Sequence, residues 1–242
     1  MSDVELAGRI AQGAGELLLT LQRSKLFAGK ALGKAGDRVA NAFIMEALRE
    51  NRPGDAVLSE EEKDGTERLL ASRVWIVDPL DGTREYGEGR DDWAVHVALS
   101  IGGRPSLGAV ALPALGEVLV SEARVLPEVP EKLRVLVSRT RPAKEALAVA
   151  EALGAELVAM GSAGAKAMAV VRGGAEIYLH TGGQYEWDNC APAAVALAAG
   201  LHVSRVNGAD LSYNHPDPYL PDLLICQEHL AEKVFEVLRA VV

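Results

Sequence analysis

Apolar residues recur through positions 2–22 at the spacing of one helical face, and Val4, Ile10, Leu17, Leu18 and Leu21 share it. Positions 28–36 mix glycine and lysine and read as a loop. A second helix is predicted over 37–49, with Val39, Phe43, Ile44, Ala47 and Leu48 turned inward. Asp37 then stands at its start, where a carboxylate caps orphan amides. Asn51-Arg52-Pro53-Gly54-Asp55 stops that helix. Ala56-Val57-Leu58 is a short strand leading into Ser59-Glu60-Glu61. Residues 73–78 form an apolar strand covered on both faces, and 93–99 form another, closed by the turn Gly102-Gly103. Two more strands flank Pro113-Ala114-Leu115-Gly116, a hairpin turn.

Pro127 and Pro130 fall among charges in 122–131, the best candidate boundary in the chain. It divides an N-terminal α+β lobe, 1–125, from a C-terminal α/β lobe, 126–242. Beyond it, strands at 133–138, 156–159 and 175–180 alternate with helices at 142–153 and 163–172. A helix of small residues follows over 188–199, stopped by Gly200. Asn207-Gly208 is a hairpin signal, and a strand at 222–226 and a helix from 229 close the chain.

Composition narrows the class. A chain of 242 residues buries a large core, as one domain or two intimate lobes. Aromatics are only 5%, so Ala, Val and Leu must fill that core. The net charge of −9 argues against a nucleic-acid polymer as partner, which needs a basic face. It suits carboxylates clustered around divalent cations. Cys190 and Cys226 give no disulfide framework and read as two buried, reduced thiols. With no apolar run of about 18 residues and no basic, apolar leader at the N-terminus, the expectation is a soluble cytoplasmic protein without a membrane partner.

The most informative stretch is Asp78-Pro79-Leu80-Asp81-Gly82-Thr83. Asp78 ends a buried strand, and Asp81 comes round on the following turn. Both carboxylates can face one ion, with the Leu80 carbonyl between them as a further oxygen ligand. All-oxygen coordination selects magnesium, manganese or calcium over zinc. Gly82 lets the backbone approach a ligand, and the Gly82 and Thr83 amides at a helix start suit an anion. Taken singly, the other acidic features have plainer readings. Glu60-Glu61-Glu62 is a solvated charge run, while Asp37 and Asp188 are helix caps.

Together they carry a resemblance. The hexapeptide resembles the signature of the inositol monophosphatase superfamily of metal-dependent, lithium-sensitive phosphatases. The family's Trp-Asp motif stands as Trp187-Asp188-Asn189-Cys190-Ala191-Pro192, before a small-residue helix ending at Gly200. Its upstream acidic motif matches Ser59-Glu60-Glu61, and its early Asp matches Asp37. Within the superfamily, Arg84-Glu85-Tyr86 is similar to the CysQ branch of 3′(2′),5′-bisphosphate nucleotidases. Further likeness to actinobacterial members runs through 90–96, 161–166 and 216–222.

The resemblance implies a layered αβαβα sandwich. It implies that Glu60, Asp78 and the Leu80 carbonyl hold a first magnesium ion, and that Asp78, Asp81 and Asp188 hold a second. A weaker third ion would sit near Glu60. Manganese would be accepted, and lithium or calcium would inhibit. Asp37 and Thr83 would orient or deprotonate the attacking water, the Gly82 and Thr83 amides would bind the departing phosphate, and Arg84, Ser162 and Lys166 would contact the substrate. Glu61 is given no role. The implied reaction is removal of the 3′-phosphate of 3′-phosphoadenosine 5′-phosphate, and of its sulfated precursor, in sulfate assimilation, without a phosphoenzyme. Inositol monophosphatase or fructose-1,6-bisphosphatase activity stays open, as does metal-dependent nucleotide binding without catalysis. A homodimer is the implied assembly. Asp81→Asn is expected to abolish turnover and leave the fold intact.

Overall fold

The computed structural model describes residues 1–241. Helices α1 (Asp3–Ser24) and α2 (Gly29–Asn51) form the first layer. They cover one face of a five-stranded sheet in the order β1 (Ala56–Ser59), β2 (Arg73–Asp81), β3 (Ala94–Ile101), β4 (Arg104–Leu112), β5 (Glu117–Val120). Only the β1–β2 pair is parallel. A short helix, α3 (Thr83–Gly87), leaves the end of β2 and packs on α2.

The second sheet has the order β7 (Glu156–Met160), β6 (Arg134–Ser138), β8 (Ile177–Tyr185), β10 (Tyr219–Cys226), β9 (His202–Ser204). Helices α5 (Ala163–Val171) and α6 (Glu186–Ala198) lie between the two sheets. Helices α4 (Lys144–Leu153) and α7 (Ala231–Val241) cover the outer face of the second. The result is the expected αβαβα stack. Small residues on α6 permit the close central layer: a β-carbon at Gly108 of β4 would lie 2.7 Å from the Ala191 carbonyl oxygen. Because helices cover both faces of the first sheet, β2 and β3 are buried almost throughout, which explains their continuous apolar reading. Among the described residues no helix is long and apolar enough to cross a membrane.

Several local expectations are corrected. Residues 29–36 are the first turns of α2, not a loop, and Asp37 lies inside that helix rather than capping it. Glycine is there for contact: a β-carbon at Gly33 would lie 2.6 Å from Thr83 Cγ2, and one at Gly36 would lie 2.9 Å from the Tyr86 ring. With the helix extended, its buried face runs through Leu32, Gly36, Ala40, Ile44 and Leu48, leaving Val39 and Phe43 partly exposed. On α1 Leu17 is likewise exposed, while Leu6 and Ala14 are buried. Asn207-Gly208 makes a turn, with the Gly208 amide donating to the Arg205 carbonyl. It is not the tip of a tight hairpin, since β10 begins only at Tyr219.

Candidate active site

β2 continues through Pro79 to Asp81, so the second aspartate is not on a following turn. Opposite β3, Asp78 pairs with His96 and Asp81 with Ala94. Three steps on one strand meet two on the other, which is a β-bulge. Side chains three apart on a regular strand face opposite ways. The extra residue turns Asp81 back to the side of Asp78. Pro79, which has no N–H to donate, falls inside the bulge, where the ladder is already interrupted.

Asp188 comes from the opposite side of the cleft, in the first turn of α6. The N-cap is Tyr185, whose amide donates to Asp188 Oδ2 at 2.6 Å. Asp78, Asp81 and Asp188 can each place one oxygen so that all three lie within 4.8 Å of one another. Glu60 follows β1, and its amide donates to the Val77 carbonyl at 3.2 Å, which holds it beside Asp78. The residue as a whole is solvent-exposed, but its carboxylate stands in the acidic cleft.

The charges of these acids differ sharply. Burial, then repulsion by Glu60, Asp81 and Asp188, pushes Asp78 well above the carboxylate range. Burial and Asp81 raise Asp188 to about 7, against the opposing Tyr185 amide. Glu60 is raised to about 7 by burial and Asp188, although a hydrogen bond with Asp78 opposes this. Asp37 is raised to about 6 by burial and Glu61. Asp81 departs the other way. Burial pushes it up, but the attraction of the adjacent His96 and hydrogen bonds from Ser162 and the Gly164 amide overcome that and hold it at about 2. Its carboxylate accepts the Ser162 hydroxyl, the Ala163 amide at 3.1 Å and the Gly164 amide at 2.6 Å. Asp81 therefore caps α5 from the other sheet. Asp81→Asn is therefore expected to cost stability as well as turnover, because an amide NH₂ in place of one oxygen would meet a donor.

Crowded oxygen ligands that resist ionisation together are the donor set of a hard divalent cation. Asp78, Asp81 and Asp188 fit one, with Glu60 beside Asp78.

Thr83, at the head of α3, donates through Oγ1 toward Asp37 Oδ1 at 3.3 Å and the Leu80 carbonyl at 3.1 Å. Gly82 precedes it with φ of +87°, a conformation glycine adopts without strain. A β-carbon there would stand 3.2 Å from both Trp93 Cβ and Ser162 Cβ. Lys166 is buried, its Nζ donating to the Gly161 and Ser162 carbonyls at 2.9 and 2.6 Å. Arg84 is exposed and pairs with Glu88 at 2.9 Å. Of the Arg84-Glu85-Tyr86 continuation, Tyr86 is core: its hydroxyl donates to the Leu18 carbonyl at 2.8 Å.

The sequence assigns no site role to His96, Asp92 or Glu85, whereas Arg139 is among the basic residues it offers, with Arg84, Arg141, Lys144 and Lys166, for a second anion site. Buried His96 bridges the two halves of the acid cluster. Its Nδ1 lies 3.0 Å from the Trp187 carbonyl, which can only accept, so Nδ1 carries a proton. Its Nε2 lies 3.3 Å from Asp81 Oδ2, off the line of a good hydrogen bond. Burial lowers the imidazole pKa, but the Asp81 carboxylate outweighs it and the net shift is upward. Asp92 accepts the Gly161 amide at 2.6 Å and pairs with Arg90. Glu85 pairs with Arg139 of the second half of the chain. Arg90 is a neighbour of Asp92 in the Arg90-Asp91-Asp92-Trp93 run, and the Gly161 amide is the partner that only the fold supplies. The cleft beside Asp81 and Asp188 is lined by Gly82, Arg84, Ser138, Arg139, Thr140, Ser162, Lys166 and His180.

The sequence matches the inositol monophosphatase family over residues 6–242. It is 50% identical to a 3'-phosphoadenosine 5'-phosphate phosphatase of Mycobacterium leprae, a comparison that covers 100% of this chain and 95% of the relative. It is 33% identical to the 3'(2'),5'-bisphosphate nucleotidase CysQ of Escherichia coli, over 77% of this chain and 81% of that one. The fold superposes on the crystal structure of CysQ from Bacteroides thetaiotaomicron with a TM-score of 0.81 at 25% identity, covering 93% of this chain and 97% of that one.

Proposed function

The chain belongs to the inositol monophosphatase family, and on that premise we propose that it removes the 3'-phosphate of 3'-phosphoadenosine 5'-phosphate. It is a phosphoric monoester hydrolase of the bisphosphate nucleotidase kind. The observation that carries the substrate is the 50% identity, along the whole chain, to a phosphatase of that name.

The site supports the chemistry. Asp78, Asp81, Asp188, Glu60 and the Leu80 carbonyl are the proposed ligands of magnesium, two or three ions in all. When bound, such ions neutralise phosphoryl oxygens and acidify the attacking water. Thr83 Oγ1 accepts a hydrogen bond from that water and passes its own proton toward Asp37, 3.3 Å away. Burial and Glu61 raise the Asp37 carboxyl to about 6, a suitable value for a general base near neutrality. The Gly82 and Thr83 amides receive the departing phosphate, and Ser162, Lys166 and Arg84 line the substrate side of the cleft. Water attacks directly. Cys190 and Cys226 are buried thiols whose pKa burial raises, and neither lines the cleft.

The lobes of this reading are 1–125 and 126–242, and the enzyme works in the cytoplasm as a homodimer, inhibited by lithium. The test is phosphate release from the adenosine bisphosphate, inositol 1-phosphate and fructose 1,6-bisphosphate, with and without magnesium. The bisphosphate nucleotide is expected to turn over fastest, and only with the metal. Preference for either sugar phosphate would overturn the substrate, and binding without release would overturn catalysis.

A further inference from the structure

Glu85 is a buried carboxylate that the chemistry above does not use. It extends from α3 across the cleft to Arg139, just beyond β6 of the second sheet. Glu85 Oε1 accepts Arg139 Nε at 3.0 Å and Nη2 at 2.8 Å, and Glu88 Oε2 accepts the same Nη2 at 2.7 Å. One edge of the guanidinium is thus held by two carboxylates, while Nη1 makes no hydrogen bond among the described residues. Glu85 also lies against the other wall of the cleft, for a β-carbon at Gly161 would overlap its side chain. Ser138, Arg139 and Thr140 line that cleft together with Lys166. A guanidinium fixed in plane is well suited to a phosphate, since its remaining N–H groups are already oriented. An unfixed one would lose rotamer freedom on binding.

We propose that Glu85 is a positioning residue for substrate selectivity: it sets the plane of Arg139 so that Nη1 meets an anionic group on the substrate remote from the phosphate being removed. The inference rests on the nucleotide bisphosphate reading, in which that group is the second phosphate. It separates from a purely electrostatic effect by sign. If charge alone mattered, Glu85→Gln would remove a negative charge from the cleft and the bisphosphate would bind more tightly. Positioning demands the reverse.

The experiment measures kcat and KM for 3'-phosphoadenosine 5'-phosphate and for adenosine 3'-phosphate, which lacks the second anion, in wild type, Glu85→Gln, Arg139→Lys and the double variant. Glu85→Gln is expected to raise KM for the bisphosphate about tenfold, the scale of one charge-assisted hydrogen bond. The ratio of kcat/KM between the two substrates falls by a similar factor. The double variant is no worse than the worse single one, because both break one linkage. A bisphosphate KM that falls or stays put, or parallel losses on both substrates, overturns the inference and leaves the function standing. A wild-type protein that hydrolyses neither nucleotide overturns both. Melting temperatures of all variants exclude loss of fold as the cause of any change.

Discussion

Asp78 and Asp81 stand three residues apart and are held in opposite electrostatic states. Around Asp78 there is burial and a cluster of acids, with one hydrogen bond, from the Leu80 amide, to relieve it. Around Asp81 there are a hydroxyl, two amides and an imidazole. The two therefore respond differently to the same change. Asp78→Asn removes a repelled charge, so the metal-free protein is expected to melt higher while turnover is lost. Asp81→Asn loses a charged acceptor of several bonds, so it should cost about 2 kcal/mol or more of stability in addition to turnover. Thermal melting without metal, alongside phosphate release, checks both. A lower melting temperature for Asp78→Asn would show that its burial is otherwise compensated. The types and order of these acids were readable in the chain. Their inequality was not, because the donors that hold Asp81 come from residues 96 and 162–164.

At the scale of elements, two irregularities build the site. The bulge at Pro79-Leu80 aligns the aspartates, and the long α2 brings Asp37 to Thr83. The start of α2 is not legible locally, because Gly29, Gly33 and Gly36 read as turn residues. In the fold, two of them make room for α3. Gly33→Ala tests this directly. Alanine favours a helix by up to about 1 kcal/mol over glycine, so the melting temperature should change little. The added methyl nevertheless meets Thr83 Cγ2 at 2.6 Å and the Thr83 carbonyl oxygen at 3.2 Å. Displacing Thr83 is expected to lower kcat on the order of tenfold to a hundredfold, the scale of misplacing a group at a reacting centre. Unchanged kcat would mean that Thr83 does not depend on that contact.

Across the whole molecule, the two sheets meet over α5 and α6, and the acid cluster gathers carboxylates from both sides. That assembly has a pH signature. Asp78, Glu60 and Asp188 are raised in the folded state, the last two to about 7 from ordinary values of 4.5 and 3.8. A raised folded value leaves stability intact below the unfolded value and erodes it as pH climbs through the folded one. Asp81 acts with the opposite sign, but in a lower window, between 3.8 and about 2. The metal-free protein is therefore expected to melt lower at about pH 8 than at about pH 5, and magnesium to raise the melting temperature more at the higher pH. A melting temperature that rises with pH in the absence of metal would contradict the mutual repulsion. By itself the sequence determined the succession of helices and strands and the hexapeptide, because hydrophobic period and local motif are properties of neighbours along the chain; the layered fold and the distant acidic partners were what the family resemblance implied. Only the tertiary structure decided that Asp81 caps a helix from the other sheet, that His96 links Asp81 to the turn bearing Asp188, and that Glu85 grips Arg139. The partners Glu85–Arg139, Asp81–Ala163 and His96–Trp187 stand 54 to 91 positions apart, and no local pattern records which distant partner a buried polar group will find.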